Sequence, residues 1–258
     1  MAIAELKKMI YSKKTWLILG FFLLVSIGDV MLGLDSFIQT DTIEHKMLLA
    51  SKNQGHIAAI ALFWIFPVYG LFLTGERMIR EHQRTIDLIE KTRCSGKQWL
   101  RAKLLINGSV LSGIVGISLI VNMLLVRLIL KPDHLDFKNP VGDMIELGRE
   151  WQWFTPFTIN HPTITYLFYI FMACFILFLL SCLITLVTIA LPERKVAYPT
   201  LVLYWMIWWF LPWDMSMALQ PFTEYGISYS LACFGSFSIL TLLAIFIIYR
   251  KVLTYDHL

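Results

Sequence analysis

The feature that most restricts this chain is the length of its uninterrupted apolar blocks. Six of them, at 15–34, 56–73, 104–130, 163–191, 196–213 and 227–249, run for 18 to 29 residues each. A helix rises about 1.5 Å per residue, so such blocks match a hydrocarbon layer roughly 30 Å thick. Backbone that crosses lipid must satisfy its own N–H and C=O groups, which an α-helix does within one segment. The expected fold is all-α integral membrane with six transmembrane helices in one domain, 1–258. The blocks at 104–130 and 163–191 exceed what a crossing needs and are expected to tilt or to project into water. The block at 196–213 is short and bracketed by prolines.

Composition supports this reading: only 16% of residues are charged and 57% are hydrophobic, whereas soluble domains carry about 25% charge. A water-soluble globule, a disordered chain and a disulfide scaffold are excluded together. Three of the four cysteines, Cys174, Cys182 and Cys233, lie inside apolar blocks, and Cys94 sits alone in a basic segment. With no C-x-x-C pair they read as small apolar filler, neither zinc ligands nor a redox pair.

Orientation follows from the basic residues, which resist translocation near span ends. The N-terminus carries Lys7, Lys8, Lys13 and Lys14, the 74–103 segment carries eight more, and Arg194, Lys195, Arg250 and Lys251 bring one side to sixteen against six on the other. Both termini are expected in the cytoplasm. The net charge of +4 is then a topology signal and implies no nucleic-acid partner. The first block lacks a small-x-small cleavage pattern and reads as a retained span rather than a signal peptide.

The polar stretches 74–103 and 131–162 are about 30 residues each, below the ~40 residues at which domains usually need outside help to fold. Neither has room for a soluble catalytic domain. A phosphate-binding P-loop is also missing: Ser95-Gly96-Lys97 lacks the upstream glycine and is followed by Gln98. Any nucleotide that drives this protein must be bound by another chain.

Between the blocks, local patterns are informative. Ile3, Leu6, Met9 and Ile10 have helical spacing among four lysines, which predicts an interfacial elbow helix over 2–14, a basic leader being the plainer reading. Within 74–103, Ile79, His82, Ile86 and Ile89 recur at steps of 3, 4 and 3 and predict one short amphipathic helix laced with charge. It breaks near Arg93-Cys94. Ser95 and Gln98 then have capping-box spacing, and Trp99, Arg101 and Lys103 anchor the overhang of the third span. Such a helix, held between two spans, can transmit movement from a docked partner; a solvated connector is the alternative. In 131–162, Asn139-Pro140 with Asp143 predicts a further helix on the outer leaflet, followed by an aromatic run.

Trp205, Trp208, Trp209 and Trp213 crowd the fifth block, and 214–226 follows with Pro221. These suggest a re-entrant turn near an outer opening, or a belt of interfacial anchors. Asp29 and Arg127 are charges near the outer ends of spans one and three, either paired or separately snorkelling. Asp29, Arg127, Trp205 and Trp209 are thus the candidate residues of a translocation path or outer gate.

The run Gly75-Glu76-Arg77, Glu81, Thr85-Ile86-Asp87-Leu88-Ile89, then Arg93-Cys94-Ser95 through Trp99 to Lys103 resembles the loop between spans two and three of ABC-2 type (type V) ABC transporter permease subunits. Thr92-Arg93-Cys94 stands where many relatives have a proline. The resemblance extends to the whole layout: an N-terminal elbow, six spans with both ends inside, a cytoplasmic coupling helix and a re-entrant segment before the last span. It implies a permease subunit of an exporter in the cell membrane of a bacterium, paired with a second permease copy or a related one. The chain itself would bind no cofactor; ATP and magnesium would sit on a separate ABC ATPase. Carried over by position, Glu76, Arg77, Glu81, Ile86, Glu90 and Arg93 would contact that ATPase. An amphipathic substrate such as a peptide, drug or lipid-like molecule is expected. An integral-membrane enzyme and an ATP-independent secondary transporter are the competing readings. The chain carries no G-x-S-x-G or H-E-x-x-H signature and no evident internal repeat, which disfavours both.

Overall fold

In a computed structural model, residues 2–34, 47–49, 62–129, 157, 161–211, 215–219, 221 and 226–255 are described. Among them the chain is helical with no strand. The helices are α1 (Ala2–Ile10), α2 (Lys13–Leu34), α3 (Phe66–Gly70), a π-helical stretch (Leu71–Gly75), α4 (Glu76–Gln83), α5 (Ile86–Thr92), α6 (Gly96–Ile129), α7 (Pro162–Ala190), α8 (Arg194–Phe210), α9 (Met215–Ala218) and α10 (Gly226–Tyr255). Four segments are long and apolar enough to cross a membrane: Lys13–Met31, Gly96–Ile129, Pro162–Ala190 and Ser228–Thr254. The protein is a membrane protein with several apolar helices.

The other two expected spans have a different form. α8 is helical for 17 residues, Arg194–Phe210, and the second block is described only from residue 62. Its helix does not stop at 73; it runs through the π-helical stretch directly into the charged α4. Thr74 Oγ1 donates to the Gly70 carbonyl at 2.7 Å within that wider turn, and Gly70 and Gly75 let it lie against Ile184 and Thr188 of α7. π-helical turns change the face that later residues present and recur at functional sites. The outer helix expected after Asn139 lies outside the described residues, as does most of 131–162.

α7 is the central column, buried on most of its circumference. Its closest neighbour is α6, where Gly108, Ser112 and Gly116 stand at every fourth position. A Cβ at Gly108 would lie 2.6 Å from the Phe178 ring, and one at Gly116 would lie 2.9 Å from Cys174 Sγ. Small residues in such a row allow helix backbones to approach in lipid. Polar groups stitch the same seam: Asn107 donates to Thr185 Oγ1 at 3.1 Å, and Ser181 donates to the Asn107 carbonyl at 3.1 Å. α10 joins through Tyr169 and Ser230 at 3.0 Å. The outer faces of α2 and α10 are apolar and exposed, with Leu24 at 70% and Ile247 at 64%, as a lipid-facing surface requires.

α6 has 34 residues, so it is about 51 Å long and overshoots a ~30 Å core. It begins at Gly96, where the capping pattern at Ser95 places its start, and the overhang before 104 carries Trp99 and Lys103 to the polar end of the bundle. Ser95 caps it as expected, accepting the Gln98 amide at 3.3 Å. The single amphipathic helix predicted within 74–103 is instead two, α4 and α5. They are separated at Arg84–Thr85, where Thr85 takes a left-handed φ of 55°. Because of that break, Ile79, His82, Ile86 and Ile89 share no face: Ile79 is fully buried and Ile89 is 53% exposed.

Candidate functional site: a charged knot at the polar end

Four helices, α1, α4, α5 and α6, meet around Lys103. Its ammonium is wholly buried, a placement that is costly without partners. Three carboxylates surround it: Glu81 at 2.6 Å, Glu5 at 3.0 Å and Glu90 at 3.0 Å. Two further cations brace these acids. Arg77 Nε donates to Glu81 at 2.8 Å and its Nη2 to Glu5. Lys8 donates to Glu5 at 2.9 Å and also to Glu90. Trp99, itself buried, closes the knot by donating its indole N–H to Glu90 at 2.9 Å. Three acids thus face three cations, drawn from α1, α4, α5 and α6, and the cluster is neutral.

The electrostatics follow. Burial pushes the Glu5 carboxyl up, but attraction to Lys103 and Arg77, with hydrogen bonds from Lys8 and Lys103, outweighs it and holds the group below its ordinary range. Glu90 behaves alike: burial raises it, while hydrogen bonds from Lys8, Trp99 and Lys103 bring it down to about 2. Burial lowers Lys8, but its bonds to Glu90 and Glu5 prevail and raise it. All three stay charged over the physiological range. A second tie joins α4 to α8: Arg194 Nε lies 2.9 Å from Glu76, and the Tyr198 hydroxyl donates to the same carboxylate at 2.9 Å.

Of the six residues expected to contact an ATPase, Glu76, Arg77, Glu81 and Glu90 are engaged in these internal pairs. Ile86 is half-buried and Arg93 is exposed. The outward surface of the hinge and α5 consists instead of Arg84, Leu88, Ile89, Thr92 and Arg93. Sequence reasoning missed Glu5, Lys8 and the central role of Lys103. The available signal was Glu5, the sole acid on an N-terminal helix otherwise apolar and lysine-rich.

Of the four gate candidates, Trp205 and Trp209 pack together, with ring centroids 6.0 Å apart. Asp29 is buried and receives a hydrogen bond from Asn122 Nδ2 at 3.3 Å, while Arg127 is exposed and donates to Thr163. Trp205 and Trp209 do not form an exposed belt. Trp205 is fully buried and donates to the Phe63 carbonyl at 2.8 Å, and Trp209 is buried edge-on against Trp64 with centroids 5.6 Å apart. With Trp208 on Phe237 at 5.2 Å, these rings pack α8 into the bundle. The reason is their spacing: positions 205, 208 and 209 fall on one helix face. Of the segment 214–226, the described part includes α9, whose Met215 and Ala218 are buried.

No family model matches the chain. Among curated proteins it is similar to one named "Uncharacterized protein YybM" from Bacillus subtilis (strain 168), 23% identical over 252 residues that cover 96% of this chain and 97% of that protein. No solved structure matches.

Proposed function

We propose that the chain is the transmembrane permease subunit of an ATP-driven exporter of the ABC-2 type. In this reading α1 is the interfacial elbow, α4 and α5 form the coupling segment, and the second and fifth apolar blocks complete six crossings with both termini in the cytoplasm. The observation that carries the proposal is the knot around Lys103. It fastens α5, which is exposed on its far side, to the ends of α1, α4 and α6 through buried ion pairs. A push on α5 from a docked ATPase would then move the long α6 and the helix running back through the π-helical stretch, rather than bend a loose loop. ATP and magnesium would bind the separate ATPase, and a second permease copy or a related chain would complete the path. The similarity to a Bacillus protein supports a bacterial cell membrane as its location, and an amphipathic peptide, drug or lipid-like molecule is the expected cargo.

The docking surface in this reading is the outward side, Arg84, Ile89 and Arg93, with Ile86 at its edge, while Glu76, Arg77, Glu81 and Glu90 support it from behind. Co-expression with candidate ATPases tests this. Ile89→Asp with Arg93→Glu should abolish copurification and stimulation of ATP hydrolysis. Glu81→Gln should retain copurification but weaken stimulation. Copurification and coupling unchanged in both variants would remove the docking role.

A further inference from the structure

Away from the Lys103 knot, a second group of charges lies where α2, α4 and α8 begin. Three cations, Lys14, Arg80 and Arg194, converge on one carboxylate, Glu76: the charges of Arg80 and Arg194 repel Lys14, and that of Glu76 attracts it. Glu76 is already engaged. Arg194 holds both of its oxygens at 2.9 Å, through Nε and Nη2, and the Tyr198 hydroxyl donates to it at 2.9 Å. Arg194 and Glu76 therefore cancel, and the charges of Lys14 and Arg80 are left over.

Both leftover cations keep N–H groups to give. Lys14 Nζ donates to the Phe72 carbonyl at 3.1 Å and lies 4.0 Å from the centroid of the Phe72 ring. An ammonium has three N–H groups, so one carbonyl fixes its place without exhausting it. Arg80 uses Nε on the Glu76 carbonyl at 3.1 Å. Its two terminal nitrogens have no acceptor among the described residues, and the side chain is exposed.

An apolar strip starts at Lys14. Phe72, Val68 and Ile65 are spaced by 4 and 3 residues and so share a helix face, and they are exposed at 39%, 41% and 44%. The segment that carries them stands between α2 and α8: Tyr69 packs on Phe21 and Phe22, with ring centroids 5.5 and 5.3 Å away, and Phe66 lies 6.4 Å from Trp205. It runs antiparallel to α2, since Lys14 meets Phe72 and Phe21 meets Tyr69. The candidate span in α2 begins at Lys13, so Lys14 marks the edge of the hydrocarbon and the strip falls on its apolar side.

We propose that Lys14 and Arg80 bind the phosphate of an anionic phospholipid of the phosphatidylglycerol class, with an acyl chain laid along Phe72, Val68 and Ile65. Charge selects this occupant, because basic residues at a membrane surface attract anionic lipids. Choline and ethanolamine lipids also have a phosphate, but they bring a positive group to a site that already has positive charge in excess. The site does not depend on an ATPase and stands apart from the transport reading.

Native mass spectrometry of the purified full chain in detergent tests the proposal, using phosphatidylglycerol and phosphatidylcholine of identical chains. Phosphatidylglycerol should bind about tenfold more tightly. Arg80→Gln and Lys14→Gln should each remove most of that preference while phosphatidylcholine binding stays unchanged. Arg101→Gln, which removes an exposed cation near the start of α6, should leave the preference intact. Equal binding of the two lipids by the unaltered protein, or a preference that survives both the Arg80 and Lys14 variants, would overturn the site. So would an equal loss in Arg101→Gln, by showing that any surface cation serves. Displacement of phosphatidylglycerol by an equal concentration of inorganic phosphate would overturn the role of the apolar strip.

Discussion

Lys103 Nζ lies 2.6 Å from Glu81 Oε2, fully out of contact with solvent, and joins residues 22 positions apart on two helices. Breaking a buried pair by removing one partner typically costs about 3–5 kcal/mol, because the other charge is left uncompensated. Lys103→Met should therefore lower the unfolding temperature of the detergent-solubilised protein markedly, leaving three acids to Lys8 and Arg77. Adding Glu81→Gln should recover part of the loss. A Lys103→Met protein that melts with the unaltered one would show that the knot does not hold these helices.

The acid side of the pH profile should report Glu90. Its carboxyl ionises at about 2 in the folded protein against an ordinary 4.5, so its contribution is complete above 4.5 and fades as pH falls toward 2. Glu5, also held low, adds to the same decline. Unfolding followed across this range should show a shallower fall for Glu90→Gln than for the unaltered protein; parallel curves would contradict the assignment. Lys8 works in the opposite sense, its raised value losing stability only in strong alkali.

Two glycines on exposed and packed faces should diverge. A Cβ at Gly108 would meet Phe178 at 2.6 Å and 2.7 Å, whereas one at Gly20 meets nothing within 4 Å. Overpacking costs about 1–3 kcal/mol, and replacing glycine by alanine within a helix returns at most about 1 kcal/mol. Gly20→Ala should melt at or above the unaltered protein and Gly108→Ala below it. The reverse order would mean that the α6–α7 seam has room to spare.

Trp205→Phe keeps a ring against Phe237 but removes the 2.8 Å hydrogen bond to the Phe63 carbonyl. A buried carbonyl left without its donor should cost about 1–3 kcal/mol. Thermal unfolding would measure it, and an unchanged midpoint would mean the carbonyl finds another donor.

Much of this architecture was legible in the residue order. The blocks at 15–34, 163–191 and 227–249 reappear as Lys13–Leu34, Pro162–Ala190 and Gly226–Tyr255, because an apolar run of that length has few options besides a helix in lipid. Ser95 announced the start of α6 through local chemistry alone. The site was legible only in part. Periodicity marks residues that share a face, but not the face that is buried, so Glu81 and Glu90 read as outward charges while their partners were out of sight. Glu5 and Lys103 are 98 positions apart, and no local pattern connects them. The break at Thr85 was invisible for a related reason: a left-handed β-branched residue runs against intrinsic preference and is held there by its surroundings.

Taken alone, the order of residues determined that this chain is helical and membrane-embedded and where most of its columns begin and end. Those properties depend on segment length, apolarity and capping, each a matter of neighbours along the chain. Tertiary structure decided which charges meet, which tryptophans are covered and which side of α5 is left exposed. Burying Lys103 is favourable only once acids from α1, α4 and α5 have arrived together, and that condition exists only in the assembled bundle.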